Sequence, residues 1–246
     1  MTLAIRGDRA SSLSLQLGPR TWLLAIARGF GCVGSRPTES AVLARLRAEC
    51  GRRARSARFR RVIDRPATAA TALLAILSRV NGDLYTGTAS HDDYVTAAAS
   101  LTAVLVVQAH VYVVQAGSTA AYLARDGEVV ALSPDDVFDD RRASLLFRAF
   151  GVGPSLDVTV SSASLAPGDA IVLLGRRARS EAERRGLLAQ LEARDPGDRV
   201  LIARFAHDET MPQIARESRR VPAPLAPALA CAAAAVALLV AVIVTH

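Results

Sequence analysis

Lysine is absent from the sequence: all 30 basic residues are arginine, against 23 acidic residues, which gives a formal net charge of +7. Its absence excludes Schiff-base chemistry on a lysine and the phosphate-binding P-loop, whose lysine contacts the bound phosphates. Hydrophobic residues make up 51% of the chain, which is enough for an ordered core. We interpret the arginine excess mainly as compositional bias and expect no nucleic-acid partner.

Cysteine and asparagine are also scarce. The three cysteines show no paired spacing that would indicate a zinc site, and asparagine occurs once, at Asn81. The N-terminal residues lack the apolar core of a secretory signal. We therefore expect the body of the protein to stay in the cytoplasm.

One long uncharged run, residues 225–244, is mainly apolar. As a helix it would span about 30 Å, the thickness of a bilayer core. The arginines just upstream, Arg216, Arg219 and Arg220, favour a cytoplasmic position for the N-terminal side. We therefore predict a single-pass membrane protein with a cytoplasmic domain at 1–207, an Arg- and Pro-containing linker at 208–224 and a transmembrane helix at 225–244.

Helical spacing of apolar residues predicts two helices in the first third of the chain, over 38–61 and 67–80. The Asn-Gly-Asp sequence at 81–83 is expected to end the second. Six arginines lie between Arg52 and Arg61. We interpret them as a solvated helix face, with contact to anionic lipid as the alternative.

Short apolar or alternating runs predict strands in the rest of the chain, and a helix is predicted at 180–192. The Asp126-Gly127 dipeptide is typical of a hairpin turn. Helices that alternate with a strand meander indicate an α+β fold with largely antiparallel sheets. The predicted strands are 22–27, 101–107, 110–115, 120–124, 128–132, 169–174 and 199–205.

Several of these segments resemble motifs of the PP2C or PPM family of metal-dependent serine/threonine phosphatases. Residues 25–31 (AIARGFG) are similar to the family's A-V-A-D-G-M-G strand and turn. Residues 117–123 (GSTAAYL), with the following RDGE and LSPD, are similar to G-D-S-R-x-Y-L, R-D-G-E and L-T-x-D. Residues 165–174 resemble the segment before S-D-G, and 198–202 resemble the closing D-N-x-T strand. The resemblance covers 1–207 and implies two antiparallel sheets in a sandwich, flanked by helices.

In that family, aspartates at strand ends hold two Mg²⁺ or Mn²⁺ ions that activate a water molecule. The matching positions here have largely lost their carboxylates. Arg28 and Arg176 stand at two aspartate positions, and Ser118 stands at a third. Asp198 is the retained metal-ligand candidate, and Arg199 follows it in place of the family's asparagine.

The motif glycines Gly29 and Gly117 remain. The resemblance therefore supports the expected fold more strongly than it supports metal-dependent catalysis. One carboxylate cannot hold a pair of divalent ions. Two unit charges of like sign 4 Å apart repel each other by about 4 kcal/mol at an effective dielectric of 20, so a guanidinium beside the site would disfavour a metal ion. We therefore assign no catalytic residue and expect no cofactor, with Mg²⁺ or Mn²⁺ bound only if the site has diverged.

The leading hypothesis is a membrane-anchored, catalytically inactive pseudophosphatase that acts as a regulatory or phospho-ligand-binding module. Arg28, Arg176 and Arg199 could converge and bind phosphate as arginine forks do, or they could pair with neighbouring acids. Two alternatives stay open: an active Mn²⁺- or Mg²⁺-dependent phosphatase with a divergent site, and a structural interaction protein of a membrane complex. The resemblance implies a phosphoprotein or a serine/threonine kinase as partner.

Overall fold

A computed structural model shows two antiparallel β-sheets packed face to face, with helices on both outer faces. This confirms the expected α+β sandwich. The structure describes residues 2–7, 11–88, 97–134, 137–140, 143–146, 148–192 and 200–206.

The strands lie in three stretches of the chain that are separated by helices. They are β1 (Thr2–Gly7), β2 (Ser12–Gly18), β3 (Thr21–Val33), β4 (Arg36–Pro37), β5 (Ala97–Val107), β6 (His110–Ala116), β7 (Ala120–Arg125), β8 (Glu128–Ala131), β9 (Val137–Asp140), β10 (Ala143–Leu146), β11 (Thr159–Ser164), β12 (Ala170–Leu174) and β13 (Val200–Ala206). The helices are α1 (Thr38–Ala54), α2 (Ala57–Ile63), α3 (Pro66–Thr88) and α4 (Glu181–Glu192).

One sheet has six strands: five in the order β11-β6-β5-β3-β2, and β4, which pairs with β3. The other sheet has five strands in the order β1-β13-β12-β7-β8. Strands β9 and β10 pair as a separate hairpin. The predicted turn between β7 and β8 is confirmed, because Asp126 and Gly127 have φ of 51° and 78° between the paired residues Arg125 and Glu128. Positive φ at both central residues is the signature of a tight hairpin turn.

Alternation along the strands divides the core into layers. On β3, Leu24 and Ile26 face the inter-sheet core with Val104 of β5. The alternate residues, Leu23 and Ala25, pack on the other side of the sheet against α1, α2 and α3. Helix α4 covers the outer face of the five-stranded sheet. Because side chains on a strand alternate between faces, one end of β3 and β5 can carry a polar site without disturbing the helical layer.

The helix predicted over 38–61 is in fact two helices, and the single-helix prediction is wrong. Helix α1 ends at Ala54, and Ser56 is extended with ψ of 124° and accepts a hydrogen bond from the Phe59 N–H as the cap of α2. Serine is strongly preferred at helix N-caps, and Ser56 therefore favours the start of a new helix at this point. Two of the six arginines here, Arg52 and Arg53, pair with Glu49.

The predicted end of the second helix is also wrong, because α3 continues through the Asn-Gly-Asp sequence to Thr88. The Asn81 side chain is 1% exposed and forms hydrogen bonds with a loop distant in sequence, so it does not end the helix. Its amide donates to the Gly153 carbonyl at 2.9 Å, and its oxygen accepts from the Gly151 N–H at 2.9 Å. A local turn signal was therefore overridden by tertiary hydrogen bonds.

The predicted transmembrane helix at 225–244 and its flanking arginines lie outside the described residues. Among the helices of the described ranges, none is both long enough and apolar enough to cross a membrane.

Candidate anion-binding cleft

The candidate site lies at one end of the sandwich, where the inter-sheet face changes from apolar to polar. Along β5 this face runs from Val104 through Thr102 to Ser100, and the paired residues of β3 run from Leu24 through Ile26 to Arg28. Thr102 and Ser100 are both fully buried. The register therefore places Arg28 at the mouth of the inter-sheet core.

A cleft of about 480 Å³ opens at this end. Its charged lining consists of Arg28, Arg176, Arg177 and Glu183. The structure thus brings together the two arginines that occupy aspartate positions of the resembled motifs. The remaining lining is small or apolar: Leu174, Gly175, Ala178, Gly186, Leu187 and Val200.

Arg28 is the least engaged cation of the cleft. Within the described residues its guanidinium forms neither a hydrogen bond nor an ion pair, although its backbone pairs with Ser100 of β5. Its guanidinium carbon lies 5.9 Å from the centroid of the Phe30 ring, and Phe30 is 39% exposed. The ring orients the guanidinium by a cation–π contact without neutralising its charge.

Arg176 follows the end of β12 and contacts one carboxylate. Its Nη1 and Nη2 are each 3.3 Å from an oxygen of Glu183, and both side chains are substantially exposed. The backbone N–H of Arg179, followed by the Arg176 guanidinium, holds the pKa of Glu183 below its ordinary value of 4.5. Glu183 is therefore ionised at neutral pH and partly offsets the positive charge of the cleft.

Arg177 has a structural role. Its Nη1 donates to the Ser133 carbonyl at 2.7 Å, and its backbone N–H donates to the Ser118 carbonyl at 3.1 Å. These bonds fix the loop after β12 against the loop that carries Ser118. Arg176 is thereby held beside the cleft by its neighbour.

Ser118 itself is engaged behind the cleft and is absent from its lining. Its N–H donates to the Ser100 Oγ at 2.9 Å, and the two hydroxyl oxygens are 3.2 Å apart. Gly117 makes this approach possible, because it has φ of 91° and a Cβ there would lie 2.2 Å from the Ser100 Oγ. Only glycine fits both conditions.

Gly29 lets the start of α1 pack against β3. A Cβ at this position would lie 2.5 Å from the backbone nitrogen of Glu39. Next to it, the Thr38 hydroxyl lies 3.0 Å from the Phe30 carbonyl and 2.8 Å from the Gly31 carbonyl, within hydrogen-bonding distance of both. At both motif glycines, Gly29 and Gly117, a larger side chain would therefore clash with neighbouring residues of the chain.

Three solved structures show what this architecture is similar to. The chain is 19% identical to PppA, a key regulatory component of T6SS in Pseudomonas aeruginosa, with a TM-score of 0.61 over 82% of this chain and 96% of that one. It is 21% identical to the Mycobacterium tuberculosis serine/threonine phosphatase PstP/Ppp, with a TM-score of 0.55 over 84% and 99%. The same TM-score and identity relate it to a PstP catalytic domain in complex with two manganese ions, over 82% and 96%.

The chain has the PPM phosphatase fold. No family model and no curated protein matches the sequence. At these identities the likeness concerns the fold, and the chemistry must be judged from the residues in the cleft.

The described residues that line the cleft do not fit a pair of divalent cations such as the two manganese ions in the PstP domain. Divalent ions such as Mn²⁺ and Mg²⁺ need several oxygen ligands, preferably carboxylates. The cleft's described lining offers three arginines and one carboxylate, and that carboxylate already faces Arg176. The described ranges contain no group of three histidine, cysteine or acidic residues that could hold a metal ion. Asp198 and Arg199 lie outside those ranges.

Glu183 is the residue that the sequence interpretation missed. A signal for it exists, because Ser180 and Glu183 have the spacing of a capping box at the start of α4. The Glu183 N–H donates to the Ser180 Oγ at 3.1 Å, and its carboxylate accepts from the Arg179 N–H at 2.8 Å. The capping box predicts where the helix begins, but not the contact with Arg176.

Proposed function

We propose that this protein is a non-catalytic, membrane-anchored PPM-fold module that binds a phosphorylated ligand in the arginine-lined cleft. One observation carries the proposal: Arg28 and Arg176, which stand at aspartate positions of the phosphatase motifs, line the same cleft. Two guanidinium groups at one cleft suit an anion, since each can donate two parallel hydrogen bonds to phosphate oxygens.

The proposed partner is a phosphoprotein or the serine/threonine kinase that produces it. The likeness to PppA, which is described as a regulatory component of T6SS, supports a regulatory role. Attachment of the domain through residues 225–244 would hold it at the cytoplasmic face of a membrane. There it would meet partners that are themselves membrane-bound.

The binding claim is tested by titrating the full chain, purified in detergent, with a phosphoserine peptide and with its unphosphorylated counterpart. We expect saturable binding of the phosphorylated peptide alone, and weaker binding in Arg28→Ala and Arg176→Ala. Arg185→Ala is the matched control, because Arg185 is a similarly exposed arginine outside the cleft. Equal affinity in wild type and both cleft variants would contradict the proposal.

An active phosphatase with a divergent metal site is the alternative that the fold favours, since a PstP domain of this fold holds two manganese ions. It predicts hydrolysis of p-nitrophenyl phosphate that requires Mn²⁺ and is abolished in Asp198→Ala. Turnover with both properties would replace the non-catalytic proposal. We expect none at saturating Mn²⁺.

The anchoring claim is tested separately by extracting membranes with alkaline carbonate. We expect the full chain to stay in the membrane pellet and a chain that lacks residues 225–244 to appear in the supernatant. The full chain in the supernatant would contradict the anchor without affecting the cleft.

A further inference from the structure

Glu183 occupies the place on Arg176 that a ligand of the cleft would take. Its Oε1 lies 3.3 Å from Nη2 of Arg176, and its Oε2 lies 3.3 Å from Nη1. This is the fork geometry by which arginine holds a carboxylate or a phosphate group. The carboxylate of Glu183 therefore resembles a bound ligand supplied by the protein itself.

The contact is loose enough to be exchanged. Both distances exceed the 2.7–2.9 Å or so of a strong charge-assisted hydrogen bond. The side chains of Arg176 and Glu183 are 58% and 40% exposed. Exposed ion pairs contribute little to stability, because water screens them and two long side chains must be ordered.

Glu183 also has a second partner that keeps it beside the cleft. Its carboxylate accepts from the Arg179 N–H at 2.8 Å, which is shorter than either contact with Arg176. Its own N–H donates to the Ser180 Oγ, which is one of the two hydrogen bonds of a capping box at the start of α4. Loss of Arg176 therefore leaves the carboxylate anchored on the backbone.

Arg28, by contrast, has no carboxylate partner within the described residues. Besides Arg177, which is bonded to the Ser133 carbonyl, the cleft thus contains one arginine that is open to an anion and one that is already engaged by Glu183. An incoming phosphate can contact Arg28 at once, but it must displace a carboxylate to occupy the fork formed by Nη1 and Nη2 of Arg176.

We propose that Glu183 is an internal competing anion, which occupies the Arg176 guanidinium in the empty cleft and is displaced from it by the phosphate group of a ligand. It lowers the affinity of the cleft for phosphate and returns Arg176 to an occupied state on release. This inference rests on the proposed function, because the competition presupposes an anionic ligand in the same cleft.

The test compares Glu183→Gln with wild type. Glutamine removes the charge but keeps an oxygen that can accept from the Arg179 N–H, so the start of α4 is preserved. Glu181→Gln is the matched control, because Glu181 lies on the same first turn and pairs with Arg184 and Arg185 outside the cleft. It removes the same net charge without freeing Arg176.

The first measurement is calorimetric titration of the full chain in detergent with phenyl phosphate. We expect Glu183→Gln to bind about two- to fivefold more tightly than wild type, as suits the loss of one exposed ion pair. Glu181→Gln should match wild type. Unchanged or weaker affinity of Glu183→Gln for phenyl phosphate would overturn the proposal that Glu183 competes with the ligand.

The second measurement needs no phosphate. Phenylglyoxal modifies free guanidinium groups, and mass spectrometry reports the rate at each arginine. We expect faster modification of Arg176 in Glu183→Gln than in wild type or Glu181→Gln, with Arg28 unchanged in all three. Equal rates at Arg176 overturn the proposal.

The two measurements separate this inference from the function on which it rests. Phosphate binding by wild type with no response to Glu183→Gln contradicts the role of Glu183 and leaves the proposed function standing. No phosphate binding by any variant contradicts both, because the competition then has no ligand.

Discussion

Arginine has opposite roles at two places in the sandwich, one at an edge of the five-stranded sheet and one in the cleft between the sheets. At the far end of β7, Arg125 holds Asp169 by two short contacts, Nε to Oδ1 at 2.9 Å and Nη2 to Oδ2 at 2.6 Å, and the Asp169 side chain is 2% exposed. In the cleft, Arg176 meets an exposed carboxylate at 3.3 Å, and Arg28 has no carboxylate partner in the described ranges. An arginine stabilises the fold where its carboxylate is buried and is available to a ligand where it is not.

The remaining contacts of the buried pair support its structural role. Arg125 Nη2 also donates to the Ser164 carbonyl at 2.9 Å, and Asp169 Oδ2 accepts from the Ala166 N–H at 2.7 Å. The pair thus joins β7 to the turn between β11 and β12. The Arg125 guanidinium lowers the pKa of Asp169 below 3.8, so the pair is ionised at neutral pH.

The largest effect is expected from Asp169→Asn, which leaves the hydrogen bonds of Arg125 and Ala166 without their charged acceptor. Hydrogen bonds to a buried charged group contribute about 1.5–3 kcal/mol each, and we expect a total loss of about 3 kcal/mol. The melting temperature, followed by circular dichroism, should fall by roughly 6–12 °C. Phosphate binding below that temperature should be unchanged; a loss of binding with intact stability would reverse the assigned roles.

Removal of a backbone constraint next to the cleft should have the next largest effect. Gly117→Ala forces a Cβ onto a backbone with φ of 91° and to within 2.2 Å of the Ser100 Oγ. We expect a loss of about 2 kcal/mol or more in the free energy of unfolding, measured by urea denaturation. Gly127→Ala is the control, because Gly127 also has positive φ but open space around it. Equal losses in the two variants would show that the contact with Ser100 contributes nothing.

The pH dependence of the buried pair gives an independent check. Because the pKa of Asp169 is lowered on folding, its contribution to stability is present above 3.8 and is lost as the pH falls through the still lower pKa of the folded state. The difference in melting temperature between wild type and Asp169→Asn should therefore shrink as the pH falls below 3.8. A difference that stays constant through that range would contradict an ionised pair.

The smallest effect on stability is expected in the cleft, where neither Arg28 nor Arg176 contacts a buried carboxylate in the described residues. The double variant Arg28→Ala, Arg176→Ala should melt within about 2 °C of wild type, because it removes only an exposed pair and an unpaired side chain. Its affinity for a phosphoserine peptide should fall at least about tenfold. A large drop in melting temperature would assign these arginines to the fold, as for Arg125.

Much of the fold could be predicted from local patterns. The valine-rich strands and the Asp126-Gly127 turn follow from alternation and turn chemistry, and all lie where expected. Strand β2 was missed although its Ser-Leu alternation carries the same signal, and β11 was missed because its small polar residues resemble a loop. The role of Asn81 as a helix end was predicted wrongly, because its hydrogen-bond partners lie about 70 residues away in the sequence. Patterns of neighbouring residues carry no information on contacts at that separation.

The cleft could be predicted only in part. The motif positions indicated Arg28 and Arg176, because the order of motifs fixes which strand ends meet in such a fold. They did not indicate that Ser118 would be engaged with Ser100 behind the cleft, or that Glu183 would contact Arg176. Such contacts depend on how the loop after β12 turns into α4, which the spacing of residues in the sequence does not specify.

The most direct test of the central claim is the metal dependence of phosphate binding by the full chain. Calorimetric titration with phenyl phosphate is carried out after treatment with EDTA and again with excess Mn²⁺. We expect the same saturable affinity in both conditions, lost in the double arginine variant, with no phenol released. Binding that requires Mn²⁺, accompanied by release of phenol, would contradict an arginine-based anion site and identify the protein as an active phosphatase.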